Sequence, residues 1–307
     1  MSAPFSCVLP LPPSAAYDVP PAADEIAHPR LHYQLGPSIP AALLHRTEFR
    51  DRVVPDGPIA WIEEPTGAVW PLWIPRRFAL AVARLSPGAP PPPDLDPDLA
   101  RSLRGAGVLV SGAARAHADA EVAARLDAAR TAFAARGHVN LDGLVPPRVL
   151  AAVGDYYRRL FAGSHHALGD SQCELRYGIH DELLARYVHH QLAPAVAHIA
   201  AEPVMASYAY VAGYLAGAAL PRHVDRAQCE LSVTLLVDFA PEPEGASPWP
   251  LHLDVAGGAV AVHQRVGEGL LYRGREQPHW RAPLAAGCSS TSLLLHYVRR
   301  DFTGSLR

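Results

Sequence analysis

The order of hydrophobic patterns along the chain constrains the fold more than any other feature of this sequence. Between residues 120 and 200, three segments place apolar residues at helical spacing. After Glu202 the pattern changes to short β-prone runs separated by turn residues, at 206–215, 229–239, 249–255, 259–266, 269–273 and 291–298. Helices followed by a group of strands predict the α+β class, with an all-β core flanked by helices.

The first third of the chain has a different texture. Residues 1 to about 40 are rich in proline and lack periodicity, which predicts an irregular lead-in. Two apolar runs between Pro58 and Arg77 flank a Glu-Glu-Pro-Thr-Gly turn and predict a hairpin. Asp96-Pro97 predicts the cap and first turn of a short helix. We therefore predict a lead-in and small accessory domain over residues 1–112, and a separate domain over residues 113–307.

The charged residues exclude several classes of protein. All 27 basic residues are arginine, and the formal net charge is -3. Without lysine the chain cannot form the Schiff base of a pyridoxal-phosphate enzyme, and it lacks the phosphate-binding lysine of P-loop proteins and protein kinases. The small negative charge and the absence of a basic block argue against nucleic acid as a partner.

The cysteines and the apolar segments indicate the cellular setting. Cys7, Cys173, Cys229 and Cys288 are far apart and form no Cys-x-x-Cys pair, so neither a disulfide scaffold nor a thiolate zinc site is predicted. The N-terminal segment lacks the basic region of a signal peptide. The longest uncharged stretch, 203–221, has the tyrosines and glycines of a buried strand and turn. We expect a cytoplasmic protein with no membrane partner, and the sequence does not indicate its oligomeric state.

Histidine and aspartate are paired in three His-x-Asp motifs: His117-Ala-Asp119, His223-Val-Asp225 and His252-Leu-Asp254. With 16 histidines in the chain, roughly one such motif is expected by chance. Asp119 lies near a predicted helix start, where an N-cap explains it. His252 and Asp254 lie in an apolar strand, from which both side chains can face outward.

The third motif has a context that favours metal binding. His223 and Asp225 lie in a turn between two predicted strands, and His279 follows 54 residues after Asp225. Two histidines and one carboxylate from neighbouring strands of a barrel are the ligand set of non-haem Fe(II) oxygenases, which leaves half of the octahedron open. Structural zinc would require a closed set of four ligands, and harder metals would require more oxygen ligands.

The residues around this motif carry a family resemblance. The segment Tyr214-Leu-Ala-Gly-Ala-Ala-Leu-Pro-Arg-His223-Val-Asp225 resembles the approach to the iron site in prolyl 4-hydroxylase-like Fe(II)/2-oxoglutarate dioxygenases. Val266-Gly-Glu-Gly-Leu-Leu-Tyr272 is similar to the family's strand before the distal histidine. His279 then precedes a proline, a glycine and a final strand, 292–297, in the family's order. The resemblance covers residues 120 to 307.

The resemblance implies a double-stranded β-helix, or jelly roll, in an oxygenase domain that includes a helical buttress. It implies that His223, Asp225 and His279 bind Fe(II), and that 2-oxoglutarate and then O2 occupy the open face. Oxidative decarboxylation of 2-oxoglutarate to succinate and carbon dioxide would be coupled to hydroxylation of an unactivated carbon. The substrate would be an amino acid, a peptidyl side chain or another small molecule.

The chain departs from the family at the residue that binds the distal carboxylate of 2-oxoglutarate. The family places Arg or Lys on the strand after the distal histidine, but here the stretch 287–292 carries hydroxyls and no cation. Arg281 lies two positions after His279, so both side chains would lie on the same face of a continuing strand. Its planar guanidinium suits a bidentate contact with a carboxylate. Arg226 and Arg273 are weaker candidates for this role, and the hydroxyls of Tyr214, Ser290 and Ser292 could supply neutral hydrogen bonds.

Two alternatives remain open at this point. The missing cation would also be consistent with a catalytically inactive jelly roll that binds a peptide or a partner protein through its tryptophan-rich first domain. It would equally be consistent with a non-haem iron oxygenase that does not use 2-oxoglutarate.

Overall fold

The computed structural model describes residues 8–16, 19–36, 38–44, 57–163 and 167–306. The chain divides into two compact units, Met1–Ala124 and Arg125–Arg307. The predicted boundary after residue 112 coincides with the start of a long helix, Gly112–Arg136, which extends across the division. The predicted domain boundary therefore stays a prediction. Parts of the predicted lead-in, including Cys7, lie outside the described residues.

The first unit contains short strands and helices in this order: β1 (Leu9–Pro10), β2 (Glu25–Ala27), β3 (Leu31–Gln34), β4 (Ile59–Glu63), β5 (Val69–Trp73), α1 (Ala79–Ala83), α2 (Pro97–Gly105), β6 (Leu109–Ser111) and the first part of α3 (Gly112–Arg136). β4 and β5 form the predicted hairpin, which is closed by a hydrogen bond from the Glu64 amide to the Ala68 carbonyl (2.7 Å). The predicted short helix is also confirmed, because Asp96 caps α2 through the Leu99 amide (2.8 Å).

The prediction of an irregular lead-in is wrong for residues 25–34. β2 pairs with β6, and β3 pairs with β4, so this stretch contributes to two sheets. Ala27 and Leu31 are buried in the core of the unit. The partner strands lie far along the chain, and a three- or four-residue strand of this kind has no periodicity of its own. Its conformation is stabilised by the pairing.

The second unit contains the remaining elements: β7 (His138–Leu141), α4 (Pro147–Gly163), β8 (Arg176–His180), α5 (Leu183–Ala200), β9 (Val204–Tyr214), β10 (Leu220–His223), β11 (Leu231–Ala240), β12 (Leu251–Val255), β13 (Gly258–Val262), β14 (Gly269–Tyr272), β15 (His279–Arg281) and β16 (Ser289–Arg299). Strands therefore occupy each of the six predicted runs. The three short strands β8, β10 and β15 are additional, and they were too short to give a pattern in the sequence.

The strands of the second unit form two antiparallel sheets. The larger has the order β7-β14-β11-β16-β9-β8, and the smaller has the order β10-β15-β12-β13. Within them, the eight strands β9 to β16 fill two facing sets of four, β14-β11-β16-β9 and β10-β15-β12-β13. This strand order is that of a jelly roll, and it confirms the predicted fold class. β7 and β8 extend the larger sheet on either edge.

Helices cover the larger sheet, as the sequence predicted. The α5 side chains pack against β9 and β16, where the Tyr297 hydroxyl donates to the carbonyl of His189 (2.8 Å). Pro194 lies inside α5 without ending it. In the described ranges, no helix combines the length and the apolar composition needed to cross a bilayer.

Glu182 anchors the start of α5, and we expect its removal to destabilise the unit. Its Oε2 accepts hydrogen bonds from the amides of Leu184 (3.0 Å) and Ala185 (3.1 Å) and from the Tyr157 hydroxyl (2.7 Å). Glu182→Ala should lower the free energy of unfolding by about 1–2 kcal/mol. Glu182→Gln, which keeps one acceptor oxygen, should cost less. Urea denaturation followed by circular dichroism measures both, and a loss no greater than that of Glu244→Ala, in an exposed loop, would contradict the prediction.

Candidate active site

A cavity opens between the two sheets of the jelly roll. Strands β8, β9, β11, β14 and β16 contribute its wall from the larger sheet, and β10, β12 and β15 contribute the opposite wall. Both sides carry polar side chains, which is unusual for the space between two packed sheets. The residues predicted to bind a metal lie here.

His223, Asp225 and His279 converge in this cavity. The register of β10 and β15 places His223 opposite His279, and the two imidazole rings lie 4.3 Å apart between centroids. The Oδ1 atom of Asp225 is 3.9 Å from His223 Nε2 and 3.6 Å from His279 Nε2. One ligand atom from each residue lies within 4.8 Å of the others. The three side chains can therefore hold one metal ion.

The two histidines are oriented in the same way. His223 Nδ1 lies 2.8 Å from the carbonyl oxygen of Pro221, and His279 Nδ1 lies 3.0 Å from that of Gln277. A carbonyl only accepts, so both rings carry their proton on Nδ1 when neutral. The Nε2 atoms then present lone pairs to the cavity, as metal-binding histidines require. The Tyr272 hydroxyl lies 3.4 Å from His279 Nε2.

Asp225 is ionised in spite of its burial. Burial alone raises the pKa of this carboxyl, but the neighbouring His279 and His296 and the hydrogen bond from the Ser232 hydroxyl hold it well below its usual range. Burial and the neighbouring His279 lower the pKa of His223. A neutral imidazole beside a carboxylate is the protonation state that binds a cation.

A second group of possible ligands shares this carboxylate. Asp225, Cys229 and His296 also lie within 4.8 Å of one another. Burial raises the pKa of the Cys229 thiol to about 12, and its sulfur lies 3.3 Å from the Tyr208 hydroxyl. A thiol that stays protonated is a poor metal ligand. The set with two histidines is therefore the better candidate.

Arg281 brings a buried positive charge into the same cavity. It lies on β15 two residues from His279, on the cavity side, whereas Trp280 between them stacks outside against His252. Its Nη1 donates to the carbonyl of Trp249 (2.7 Å), and the guanidinium carbon lies 4.4 Å from the centre of the Trp249 ring. Burial lowers its pKa. Within the described residues, no carboxylate forms an ion pair with it.

Of the predicted hydroxyl groups, that of Tyr214 belongs to a residue lining the cavity, whereas Ser290 and Ser292 are not among the lining residues. Tyr214 lines the cavity and packs edge-on against Trp249 at 4.9 Å. Ser290 pairs with Tyr214 across the sheet, and alternation along β16 puts Ser290 and Ser292 on the face that carries Leu294, a cavity residue. Both serine hydroxyls are buried, and neither has a hydrogen-bond partner in the described part of the chain. Buried hydroxyls without partners are uncommon and indicate room for a polar ligand or water.

The two weaker cation candidates differ in position. Arg226 lines the cavity next to Asp225. Arg273 does not line it, because its guanidinium lies over the ring of Phe133 at 5.0 Å. Of these two, Arg226 is therefore the one placed to compete with Arg281 for an anion in the cavity.

An ion pair in the cavity wall was not predicted from the sequence. Arg176, on β8, is 4% exposed and donates through Nε (2.9 Å) and Nη2 (2.5 Å) to Oδ2 of Asp170. The Tyr210 hydroxyl donates to the same oxygen (2.7 Å). Although burial opposes it, hydrogen bonding from the Gln172 amide, from Tyr210 and from Arg176 lowers the pKa of Asp170 to about 2. Tyr208 and Tyr210 of β9 also line the cavity.

The other two His-x-Asp motifs lie elsewhere. The prediction that Asp119 caps a helix is wrong, because α3 begins at Gly112 and Asp119 forms ion pairs with Arg30 (2.7 Å) and Arg115. His252 stacks on Trp280 at 5.2 Å, and Asp254 pairs with Arg222. Neither His252 nor Asp254 is among the residues that line the cavity.

Two polar residues beside Asp225 were also missed. Ser232 on β11 donates to Asp225, and His296 on β16 contacts Ser232. The alternation Ser290, Ser292, Leu294, His296 would have put His296 on the inner face of the last strand. The alternation of polar residues along β11 gives the same signal for Ser232.

Several solved structures are similar to this chain. A prolyl 4-hydroxylase from Pseudomonas putida aligns with 57% of this chain and 99% of its own at 20% identity, with a TM-score of 0.46. A prolyl hydroxylase from Trichoplax adhaerens, in complex with a hypoxia inducible factor peptide, aligns with 58% of this chain and 92% of its own at 14% identity and a TM-score of 0.49. The α-ketoglutarate-dependent epimerase SnoN from nogalamycin biosynthesis aligns with 57% of this chain and 83% of its own at 15% identity, with a TM-score of 0.48.

No known family profile matches the chain, and no curated protein matches it. The fold itself follows from the strand order of the two sheets.

Asp170 compensates a buried charge, and we expect its neutralisation to destabilise the protein. Asp170→Asn would leave the guanidinium of Arg176 without a carboxylate. Loss of one partner of a buried pair is strongly destabilising, and since Asp170 is 29% exposed, we expect a smaller loss of about 2 kcal/mol. Chemical denaturation of the single and double variants measures it.

Arg176→Leu in the Asp170→Asn background should recover part of this loss, because the unpaired cation is then absent. Asp155→Asn is a matched control, since that carboxylate pairs with two arginines on an exposed helix face. Equal destabilisation by Asp170→Asn and Asp155→Asn would show that the cavity pair has no special role.

Proposed function

We propose that this protein is an Fe(II)- and 2-oxoglutarate-dependent oxygenase that hydroxylates a small molecule or a peptidyl side chain. The observation that carries the proposal is the combination of two features in one cavity. His223, Asp225 and His279 converge there as possible metal ligands, and Arg281 adds a buried cation that has no carboxylate partner in the described residues.

The donor atoms fit iron better than other common metals. Two imidazole nitrogens and one carboxylate oxygen form a set of three, which leaves coordination positions open, and they carry no thiolate. His223, His279 and Asp225 would hold the ion through Nε2, Nε2 and Oδ1. Bound Fe(II) supplies the activation of O2 and the oxidative decarboxylation of 2-oxoglutarate. The protein residues would bind and orient the ligands and exclude water.

Arg281 would bind the distal carboxylate of 2-oxoglutarate. A buried guanidinium without an anion is costly, so the site favours a ligand that carries a negative charge. The orphan hydroxyls of Ser290 and Ser292, with Tyr214 beside them, would add neutral hydrogen bonds to the same end of the ligand. On this proposal, Arg281 on β15 takes over the carboxylate-binding role of the family's cation. The family's usual position for that cation, on the following strand, carries serines in this chain.

The cavity also provides the orientation and the exclusion of water that hydroxylation requires. Backbone carbonyls hold the imidazoles of His223 and His279, and the Trp249 ring covers one face of Arg281. Leu251 and Leu294 supply apolar wall around the polar groups. A dry and pre-oriented site strengthens each of these electrostatic contacts.

The substrate class remains broad. The similar structures include one in complex with a peptide and one that acts in the biosynthesis of nogalamycin, and the cavity here is lined by tyrosine, histidine and charged side chains. We place the protein in the cytoplasm, since the described cysteines, Cys173, Cys229 and Cys288, are free thiols. An inactive binding module is disfavoured by the complete ligand set.

Anaerobic titration with Fe(II) and 2-oxoglutarate tests the proposal directly. We expect a weak visible charge-transfer band, followed by succinate formation when O2 and a substrate are added. Asp225→Ala should lose the band and the turnover while keeping its thermal unfolding transition, because it removes a ligand rather than a core residue. Asp254→Ala is the matched control from the outward His-x-Asp motif, and it should behave like the native protein.

The outcomes of this titration separate the alternatives. If the protein binds no iron, the enzyme reading fails. If iron binds in a manner that depends on Asp225 but no band develops with 2-oxoglutarate, the chain is an iron protein with another co-substrate.

Arg281→Met tests the carboxylate site. We expect about a 100-fold rise in the 2-oxoglutarate concentration needed for half-saturation, because a charge-assisted contact worth about 3 kcal/mol is lost. Fe(II) affinity should be unchanged. Arg273→Met is the control, since Arg273 packs on Phe133 outside the cavity.

A 2-oxo acid without a distal carboxylate, such as 2-oxopentanoate, gives an independent readout. It should bind equally to the native protein and to Arg281→Met, which shows that the variant is folded and has lost only the anion site. An unchanged 2-oxoglutarate requirement in Arg281→Met, with a raised one in Arg226→Met, would move the role to Arg226.

A further inference from the structure

The carboxylate of Asp225 has two oxygens in different surroundings. Oδ1 faces His223 and His279, whereas Oδ2 accepts a hydrogen bond from the Ser232 hydroxyl (2.7 Å). The Asp225 amide donates to the carbonyl of Gly274 (2.9 Å). A Cβ atom at position 274 would overlap both Asp225 Oδ2 and Ser232 Oγ, so only glycine allows this close approach. The chain therefore holds the oxygen that points away from the two histidines.

The Ser232 hydroxyl is also in contact with a third residue. Its Oγ lies 2.9 Å from Nδ1 of His296, while His296 Nδ1 is 4.0 Å from Asp225 Oδ2. An ionised carboxylate only accepts hydrogen bonds, and a hydroxyl has one proton to donate. Ser232 must therefore donate to Asp225 and accept from His296. The three residues form a chain with one direction, from His296 through Ser232 to Asp225.

His296 is held in place by contacts of its own. Its carbonyl accepts hydrogen bonds from Nε2 of His189 (2.7 Å) and from the Ser207 hydroxyl (2.9 Å). Its ring packs against Tyr208 with 4.6 Å between centroids. The extra residue in the pairing of β16 with β9 lies on β9, between Ala206 and Ala209, and His296 pairs in regular register with Ser232 of β11.

A buried polar chain of this kind is costly unless each member is satisfied. Ser232 and His296 are both on inner faces of the larger sheet, where apolar residues would pack at least as well. Neither is placed as a metal ligand in the preferred set. Within the described residues, the side-chain hydrogen bonds of Ser232 and His296 connect them to each other and to Asp225. Their geometry therefore serves the orientation of Asp225.

We propose that Ser232 and His296 are positioning residues that hold Asp225 with Oδ2 engaged, so that Oδ1 alone is presented to the metal. This inference rests on the proposed function, because it takes Asp225 as a ligand. A carboxylate bound through one oxygen leaves the remaining coordination positions open, whereas a carboxylate free to rotate could chelate through both. Residues that orient metal ligands in this way typically change metal affinity by about 10–100-fold.

Binding of Co(II) to the metal-free protein, without 2-oxoglutarate, tests the role apart from turnover. Ser232→Ala and His296→Phe should each weaken Co(II) binding by about 10–100-fold and change the shape of the Co(II) d–d absorption, which reports coordination geometry. His296→Asn places an amide N–H near the position of Nδ1 and should keep affinity close to native. Ser289→Ala is the matched control, because Ser289 lies on the same strand as His296 but forms no hydrogen bond with His296, Ser232 or Asp225.

The double variant Ser232→Ala/His296→Phe gives a second measure. Because the two residues act through one chain of hydrogen bonds, the double variant should bind Co(II) no more weakly than the weaker single variant. Thermal unfolding of the metal-free variants shows whether they are folded. If His296→Phe is unstable, His296→Asn still tests the proposal. This variant should retain the native Co(II) absorption spectrum, and a changed spectrum would contradict the proposal.

Two results would contradict the proposal in distinguishable ways. If Asp225→Ala loses Co(II) while Ser232→Ala and His296→Phe bind it as the native protein does, Asp225 is a ligand but the positioning role is wrong. If the native protein binds no Co(II), or if Asp225→Ala binds it normally, the metal site itself is wrong, and the positioning role is refuted with it.

Discussion

The antiparallel pairing of β10 with β15 is the contact on which the site depends. It sets His223 opposite His279 and Leu220 opposite Arg281. The register is irregular, because three steps on β10 match two steps on β15. In a regular strand, residues three apart point to opposite faces, but the extra residue allows Leu220 and His223 both to line the cavity. One short pairing thereby determines the distance between the two imidazoles and their separation from the buried arginine.

The cavity concentrates charge in an otherwise apolar space between sheets. Asp225 accepts a hydrogen bond from Ser232 beside His279 and His296, and Arg176 is compensated by Asp170. Arg281 differs from both, because its contacts are a carbonyl and an aromatic face, neither of which carries a full negative charge. Burial of charge is tolerated only with compensation. The asymmetry of this cavity therefore points to an anionic ligand next to the possible metal ion.

The local sequence patterns predicted most of the second unit. Alternation and turn residues indicated the six predicted runs of strand, and helical spacing indicated the segments that cover the larger sheet. The missed strands β2, β3, β8, β10 and β15 have three to five residues each, and they are stabilised by pairing with strands elsewhere in the chain. Asp119 was misassigned as a helix cap because α3 begins earlier than its apolar pattern, and its carboxylate belongs to an ion pair with the distant Arg30.

The sequence by itself determined the class of fold, the candidate ligands His223, Asp225 and His279, and Arg281 as one candidate for the anion-binding residue. The fold class follows from the hydrophobic patterns, and the candidate residues follow from residue type, spacing and the family resemblance, all of which can be read from local sequence. Only the tertiary structure decided that Ser232 and His296 hold Asp225, that Asp170 accompanies Arg176, and that Arg273 lies away from the cavity. Those relations join side chains from different strands, and the register of a sheet depends on the packing of the whole unit rather than on any one segment.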